Sequence, residues 1–157
     1  MAALALGAAA CSSSSSTPTV TFNHATYASD IATAYNTLFN LANPDVTSKI
    51  AVIQNGAAVK TALSQALSSS LASSSAGTKI DSTALLTSSQ CKAKSVPYPC
   101  AKVVYDINGP TGSAVLPNSQ GYAVFLGGHW LVAKATICGL LGLFYQASGK
   151  SGSPPGC

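Results

Sequence analysis

Apolar residues recur at helical spacing in the first half of the chain and at strand spacing in the second, and the period changes near Thr78. From Asp30, the positions Ile31, Ala34, Tyr35, Leu38, Leu41 and Ala42 fall three or four apart and predict a first helix. Ser29 or Asp30 is available to cap its start, and Asn43-Pro44 to stop it. Val46 to Gln54 reads as a short helical segment closed by Asn55-Gly56. Val59, Ala62, Leu63, Ala66, Leu67 and Leu71 then mark one face of a longer helix that ends in the Ser70 to Gly77 stretch.

Beyond Thr78, β-branched and aromatic residues collect in segments separated by turn residues. They predict strands near Ser82 to Cys91, Cys100 to Asn108, Gln120 to Leu126 and His129 to Ile137, broken by Pro97 and Pro99, Asn108-Gly109-Pro110, Pro117-Asn118 and Gly127-Gly128. Gly127-Gly128 between two apolar strands is a tight-hairpin pattern. Gly139 to Tyr145 is an apolar closing segment that docks on the core, and a Gly, Ser and Pro tail carries Cys157 back. The expected class is α+β: N-terminal helices packed across one face of a curved antiparallel sheet of about four strands, cystatin-like or cone-like, with one open end.

The 157 residues, 47% of them hydrophobic, suit one domain with one core. Only 8% are charged, against roughly 25% in average soluble domains, which implies a neutral, hydroxyl-rich surface. All cations are Lys and all anions are Asp (Asp30, Asp45, Asp81 and Asp106). Without Arg there is no bidentate recognition of phosphate or base edges, and a net charge of +4 on scattered lysines argues against a nucleic-acid partner.

Of five cysteines, Cys91, Cys100, Cys138 and Cys157 lie in the predicted domain and can form two disulfides, which suits an exported protein. Local pairing, Cys91 with Cys100 across a Pro-containing loop and Cys138 with Cys157 as a tail staple, is favoured over the two crossed alternatives. Lys92 beside Cys91 is thin support for a reactive thiol. The odd cysteine is Cys11. Ala2 to Ala10 is long enough for the apolar region of a signal peptide and too short to span a bilayer. Ala8-Ala9-Ala10-Cys11 resembles a bacterial lipobox, followed by Ser12, and so predicts lipidation of Cys11; an ordinary cleaved signal with Cys11 incidental is the alternative. No Lys or Arg precedes the apolar run, which implies a natural start upstream of Met1. The expected organisation is a signal segment over 1–10, a Ser-rich tether over 11–25 and one domain over 26–157.

"LFNLANPDVTSKIAVIQNGAAV" and "GYAVFLGGHWLVAKATICGLLGLF", followed by a late Cys, resemble the low-molecular-weight secreted antigen and lipoprotein family of actinobacteria. The likeness covers Asp30 to Cys157, and its most specific pieces are Asn43-Pro44-Asp45 with Lys49 and Gly56, and Trp130 leading to Cys138. It implies the cone-shaped α+β fold shared with nuclear transport factor two and polyketide-cyclase-like proteins, export, surface exposure and immune recognition. It implies no enzymatic activity and supplies no catalytic residues.

Cone-fold enzymes combine an Asp or His with a Tyr, so Asp106, His129, Tyr105 and Tyr122 are the residues to inspect. Strand alternation separates Tyr105 from Asp106 and leaves Asp106 among polar neighbours, and His129 follows a hairpin. His24 and His129 without paired carboxylates make no metal site, and no nucleophile-elbow Ser or phosphate-cradling loop is present, so no cofactor is expected. The expectation is a non-enzymatic protein on the outer face of the cell membrane, or secreted, acting by binding or display. The competing expectations are a carrier of a small apolar molecule, with Tyr122, Phe125, Trp130 and Leu131 as its candidate pocket, and a cone-fold enzyme.

Overall fold

The computed structural model describes residues 21–40, 43–69 and 77–157. The predicted signal segment, Cys11, most of the tether, Leu41, Ala42 and Leu71 lie outside them.

Helix α1 (Tyr27–Phe39) buries Ile31, Ala34, Tyr35 and Leu38 of the predicted stripe, and Phe39 beside them. It starts three residues before Asp30. Thr26 takes the cap position and its hydroxyl donates to Asp30 Oδ2 at 3.0 Å, so Asp30 becomes a first-turn acid that complements the helix dipole. Helix α2 (Val46–Ala51) starts at Asp45, whose carboxylate accepts the main-chain N–H groups of Thr47 and Ser48 at 2.9 and 3.0 Å. Asn55, in the left-handed region at φ 52°, leads into helix α3 (Gly56–Leu67).

Four strands follow in a meander, β1 (Gly77–Leu85), β2 (Cys100–Asn108), β3 (Ala114–Leu126) and β4 (His129–Val132), each antiparallel to the next. The β3–β4 turn has positive φ at both Gly127 and Gly128, as the tight hairpin requires. The outer edge of β4 is covered by the chain between α2 and α3: Val132 N–H donates to Val52 O, and Gln54 N–H to Val132 O.

Strands β1, β3 and β4 depart from their expected bounds; β1 starts at Gly77 rather than Ser82, and β3 starts at Ala114 rather than Gln120 and runs through Pro117-Asn118, which the sequence reads as a break. Thr87 and Gln90 form a reciprocal capping box that turns Ser88–Ala93 into helix α4, so β1 stops at Leu85 rather than Cys91. Helix α5 (Lys134–Ala147) takes over where a strand was expected to continue to Ile137. Its residues are apolar almost all round and include Gly139 and Gly142, a pattern that does not separate a helix from a buried strand.

Helices α1, α3 and α5 pack on one face of the sheet and the short α4 on the other, which makes the class α+β. Ala101, Val103, Tyr105 and Ile107 on β2 point into this main core with the stripes of α1 and α3, joined by Ile137 and Leu141 of α5. A smaller cluster of Cys91, Val96, Cys100, Val124 and Ala133 lies on the opposite face at one end. The disulfides are Cys91–Cys100 and Cys138–Cys157, with Cα–Cα distances of 5.9 and 5.5 Å, so the local pairing holds and the crossed alternatives do not.

Candidate functional site

Phe125 and Trp130 are directly paired across β3 and β4, on the helix-facing side. Their rings lie 5.5 Å apart. Tyr122 and Leu131 belong to the other side of the same strands, against Val124 and the Cys91–Cys100 cluster. The expected four-residue pocket is therefore not one pocket: side-chain alternation along a strand divides it between two faces.

Phe22 closes the Phe125–Trp130 pair from the N-terminal side. Its ring is 5.1 Å from Trp130, 5.6 Å from Phe125 and 4.4 Å from His24. Tyr27 of α1 adds a further ring 6.2 Å from Trp130. Phe22 thus packs on the main core although the sequence assigns it to the tether. Trp130 is 5% exposed, and its indole Nε1 has no hydrogen-bond partner. Leaving such a group unmade costs about 1–3 kcal/mol, so an unpaired buried donor calls for an explanation.

Phe22 also lines a groove of about 260 Å³. It is lined by Thr21, Phe22, His24, Leu85, Leu86, Tyr98, Pro99 and Cys100. None of its lining residues is Lys or Asp. Neither the groove nor the role of Phe22 is visible in the sequence pattern, because a ring in a tether-like stretch carries no periodicity.

The acid–base candidates stay apart. Tyr105 is buried in the main core, and burial pushes its hydroxyl up to about 12. Asp106 faces the other side, where its carboxylate accepts the Asn118 N–H at 2.8 Å and holds the irregular part of β3. His129 is exposed at the β4 hairpin, and His24 stacks on Phe22. Among the described residues no three His, Cys, Asp or Glu side chains cluster to hold a metal ion.

Two buried polar arrangements went unrecognised as contacts in the sequence. Lys49 is fully buried and its ammonium donates to the carbonyls of Thr37, Leu38 and Asn40 at 3.2, 3.0 and 2.7 Å, satisfying the end of α1. Burial lowers its pKa, and the Asp45 charge partly offsets this. Gly56 lies against the Ile50 main chain, where a Cβ would collide with the carbonyl. Asn43, Asp45, Lys49 and Gly56, the most specific residues of the family likeness, thus fasten α1, α2 and α3 together; Asn43 Oδ1 accepts the Asp45 N–H at 3.0 Å. Second, the Tyr35 hydroxyl and the Thr136 hydroxyl both donate to Tyr122 O at 3.2 Å, and Tyr122 N–H donates to Thr136 Oγ1 at 2.7 Å. Gly121 leaves the room, since a Cβ there would lie 2.7 Å from the Tyr35 oxygen.

An open four-stranded meander with its longer helices on one face, fastened by two disulfides, defines a small α+β domain of exported type. Residues 24–148 match the family described as low molecular weight antigen MTB12, C-terminal domain, and the chain belongs to that family. Membership of an antigen family indicates a secreted or extracellular protein. No curated protein and no solved structure matches the chain. Among the described residues no helix is long and apolar enough to cross a membrane.

Proposed function

We propose that this protein is held at the outer face of the cell membrane by a lipid on Cys11 and acts there by binding or display rather than catalysis. Cysteine parity carries the reading. The two disulfides use four of the five cysteines, and the fifth stands at the end of an apolar run in a lipobox-like Ala8-Ala9-Ala10-Cys11. Acyl chains contribute about 0.8 kcal/mol per buried methylene, so two or three on one residue anchor a domain of this size. Ten residues lie between Cys11 and Phe22, a reach of at most about 40 Å from the bilayer. The separation of Asp106, Tyr105 and His129 supports a non-enzymatic role.

The test is the mass of the mature N-terminus isolated from native membranes. A diacylglyceryl-modified Cys11 is the expected result. A free N-terminus beyond Cys11 would defeat the anchor and leave a secreted protein. A second reading, a carrier of a small apolar molecule, is favoured by the uncharged groove beside Phe22 and by the unpaired Trp130 indole.

A further inference from the structure

We propose that the outer edge of β1 pairs antiparallel with the same edge of a second copy of this chain, with Ile80 facing Ile80 on a two-fold axis and Lys79 of each copy facing Asp81 of the other. This interaction surface goes beyond the anchoring and display proposed above and does not depend on a lipid at Cys11.

The two edges of the sheet are finished differently. At β4 the chain between α2 and α3 takes up the main-chain groups of Val132. At β1, among the described residues, β2 is the sole strand neighbour, and no main-chain hydrogen bond from Gly77–Leu85 runs outward. The register shows which groups face out. Leu86 N–H donates to Cys100 O at 3.0 Å, so alternation back along β1 turns Ala84 and Ser82 towards β2 and, across the bulge at Asp81, Lys79 and Gly77. Thr78, Ile80, Thr83 and Leu85 are left with N–H and C=O groups directed away from the sheet. A row of such groups is a template for one more strand.

The residue order selects a second copy as the partner. In an antiparallel two-fold contact each strand meets its own sequence reversed, and β1 is complementary to itself in that sense about Ile80. With Ile80 facing itself, Lys79 lies opposite the bulged pair Asp81 and Ser82, and Thr78 lies opposite Thr83. The bulge that β1 makes against β2 thus also keeps its outward groups in phase against the copy. Opposite charges and facing threonines are favourable cross-strand neighbours. Within one strand Lys79 and Asp81 already bond at 2.8 Å, with side chains 67% and 29% exposed. A pair this open to solvent contributes little, so exchanging it for a pair between copies costs little. An edge lysine also disfavours any strand that lacks an acid at the matching position, which makes the open edge selective.

The test is sedimentation velocity of the full-length chain, read together with amide hydrogen exchange. Pairing along one strand edge buries a small area, so reversible dimerisation is expected in the range of about 10 μM to 1 mM. Lys79→Asp or Asp81→Lys, each at an exposed position, should weaken association at least about tenfold, because symmetry places two like-charge pairs in the dimer. Mixing the two variants should restore it, since the charges are then complementary between unlike copies, and this recovery also shows that both variants are folded. The amides of Thr78, Ile80 and Thr83 should gain protection as concentration rises, and those of Val115 and Leu143, exposed apolar residues on β3 and α5, should not. A chain that stays monomeric throughout that range, a dimer indifferent to both charge changes, a mixture of the two variants that fails to associate, or protection at Val115 or Leu143 in place of β1 would overturn the proposal.

Discussion

At the scale of single residues, the buried polar groups decide more than the charges on the surface. Lys49 replaces the solvent that the last carbonyls of α1 would otherwise require, with three donors meeting three acceptors. Lys49→Met keeps the volume and removes the donors. Each buried acceptor left unmade costs about 1–3 kcal/mol, so with partial resolvation the variant should lose about 3 kcal/mol in urea unfolding. A loss below about 1 kcal/mol would mean that water replaces the ammonium. The tyrosines give a second check. Burial raises the pKa of Tyr105 to about 12, and burial and then the nearby Tyr105 raise that of Tyr35 further. A folded value above the unfolded 10.0 means that the stability is fully present below pH 10 and is lost as pH rises towards the folded value. Unfolding free energy should therefore fall as pH rises past 10, the slope approaching about 1.4 kcal/mol per pH unit for each tyrosine near pH 11. Tyr105→Phe should halve that slope, and an unchanged slope would place the alkaline transition elsewhere.

At the scale of elements, the sequence was most legible where one local force acted without competition. The β2 bounds are as predicted, and Ile31, Ala34, Tyr35 and Leu38 of the predicted α1 stripe are buried, because a strict period of two or of 3.6 leaves a single solution. Helix α4 was missed because Thr87 and Gln90 sit beyond a strand-like run, and the capping box outweighs the β-branched composition before it. Helix α5 was missed because its apolar residues surround the axis, and only packing against α3 and β3 settles its form. The groove was less legible still, since Phe22 and Tyr98 meet its walls from segments with no period. The α2 cap tests how far such local signals matter. Main-chain N–H groups of Thr47 and Ser48 hold the Asp45 carboxyl below its usual value of 3.8. The stabilisation is present above pH 3.8 and is lost as pH falls below it towards the folded value. Asp45→Asn, which still accepts an N–H, should keep stability near neutral pH and flatten that acid-side decline. Asp45→Ala should be weaker at neutral pH, and equal behaviour of the two variants in thermal melts would reject the cap as the cause.

At the scale of the whole molecule, the two disulfides do different work, and their order of reduction should show it. They close loops of similar size, with sequence separations of 9 and 19 residues. In the chain-entropy model this difference is worth only about 0.7 kcal/mol, so surroundings rather than loop length set the contrast. Cys91 and Cys100 are 0% and 1% exposed and form part of the smaller cluster beneath β2 and β3. Cys157 is exposed, and its bond to Cys138 draws the tail across α3, where Gly156 lies against the Ala58 main chain without room for a Cβ. A thiolate reaches the tail bond without disturbing the core, whereas attack on Cys91–Cys100 requires the cluster to open. Under dithiothreitol with alkylation of freed thiols, a species labelled only at Cys138 and Cys157 should accumulate first. It should keep the far-ultraviolet spectrum of the fold and lose on the order of 3 kcal/mol of stability. Simultaneous labelling of all four cysteines would mean that the tail bond holds the sheet as well as the tail, and early labelling of Cys91 and Cys100 would mean that the smaller cluster opens more readily than its burial implies.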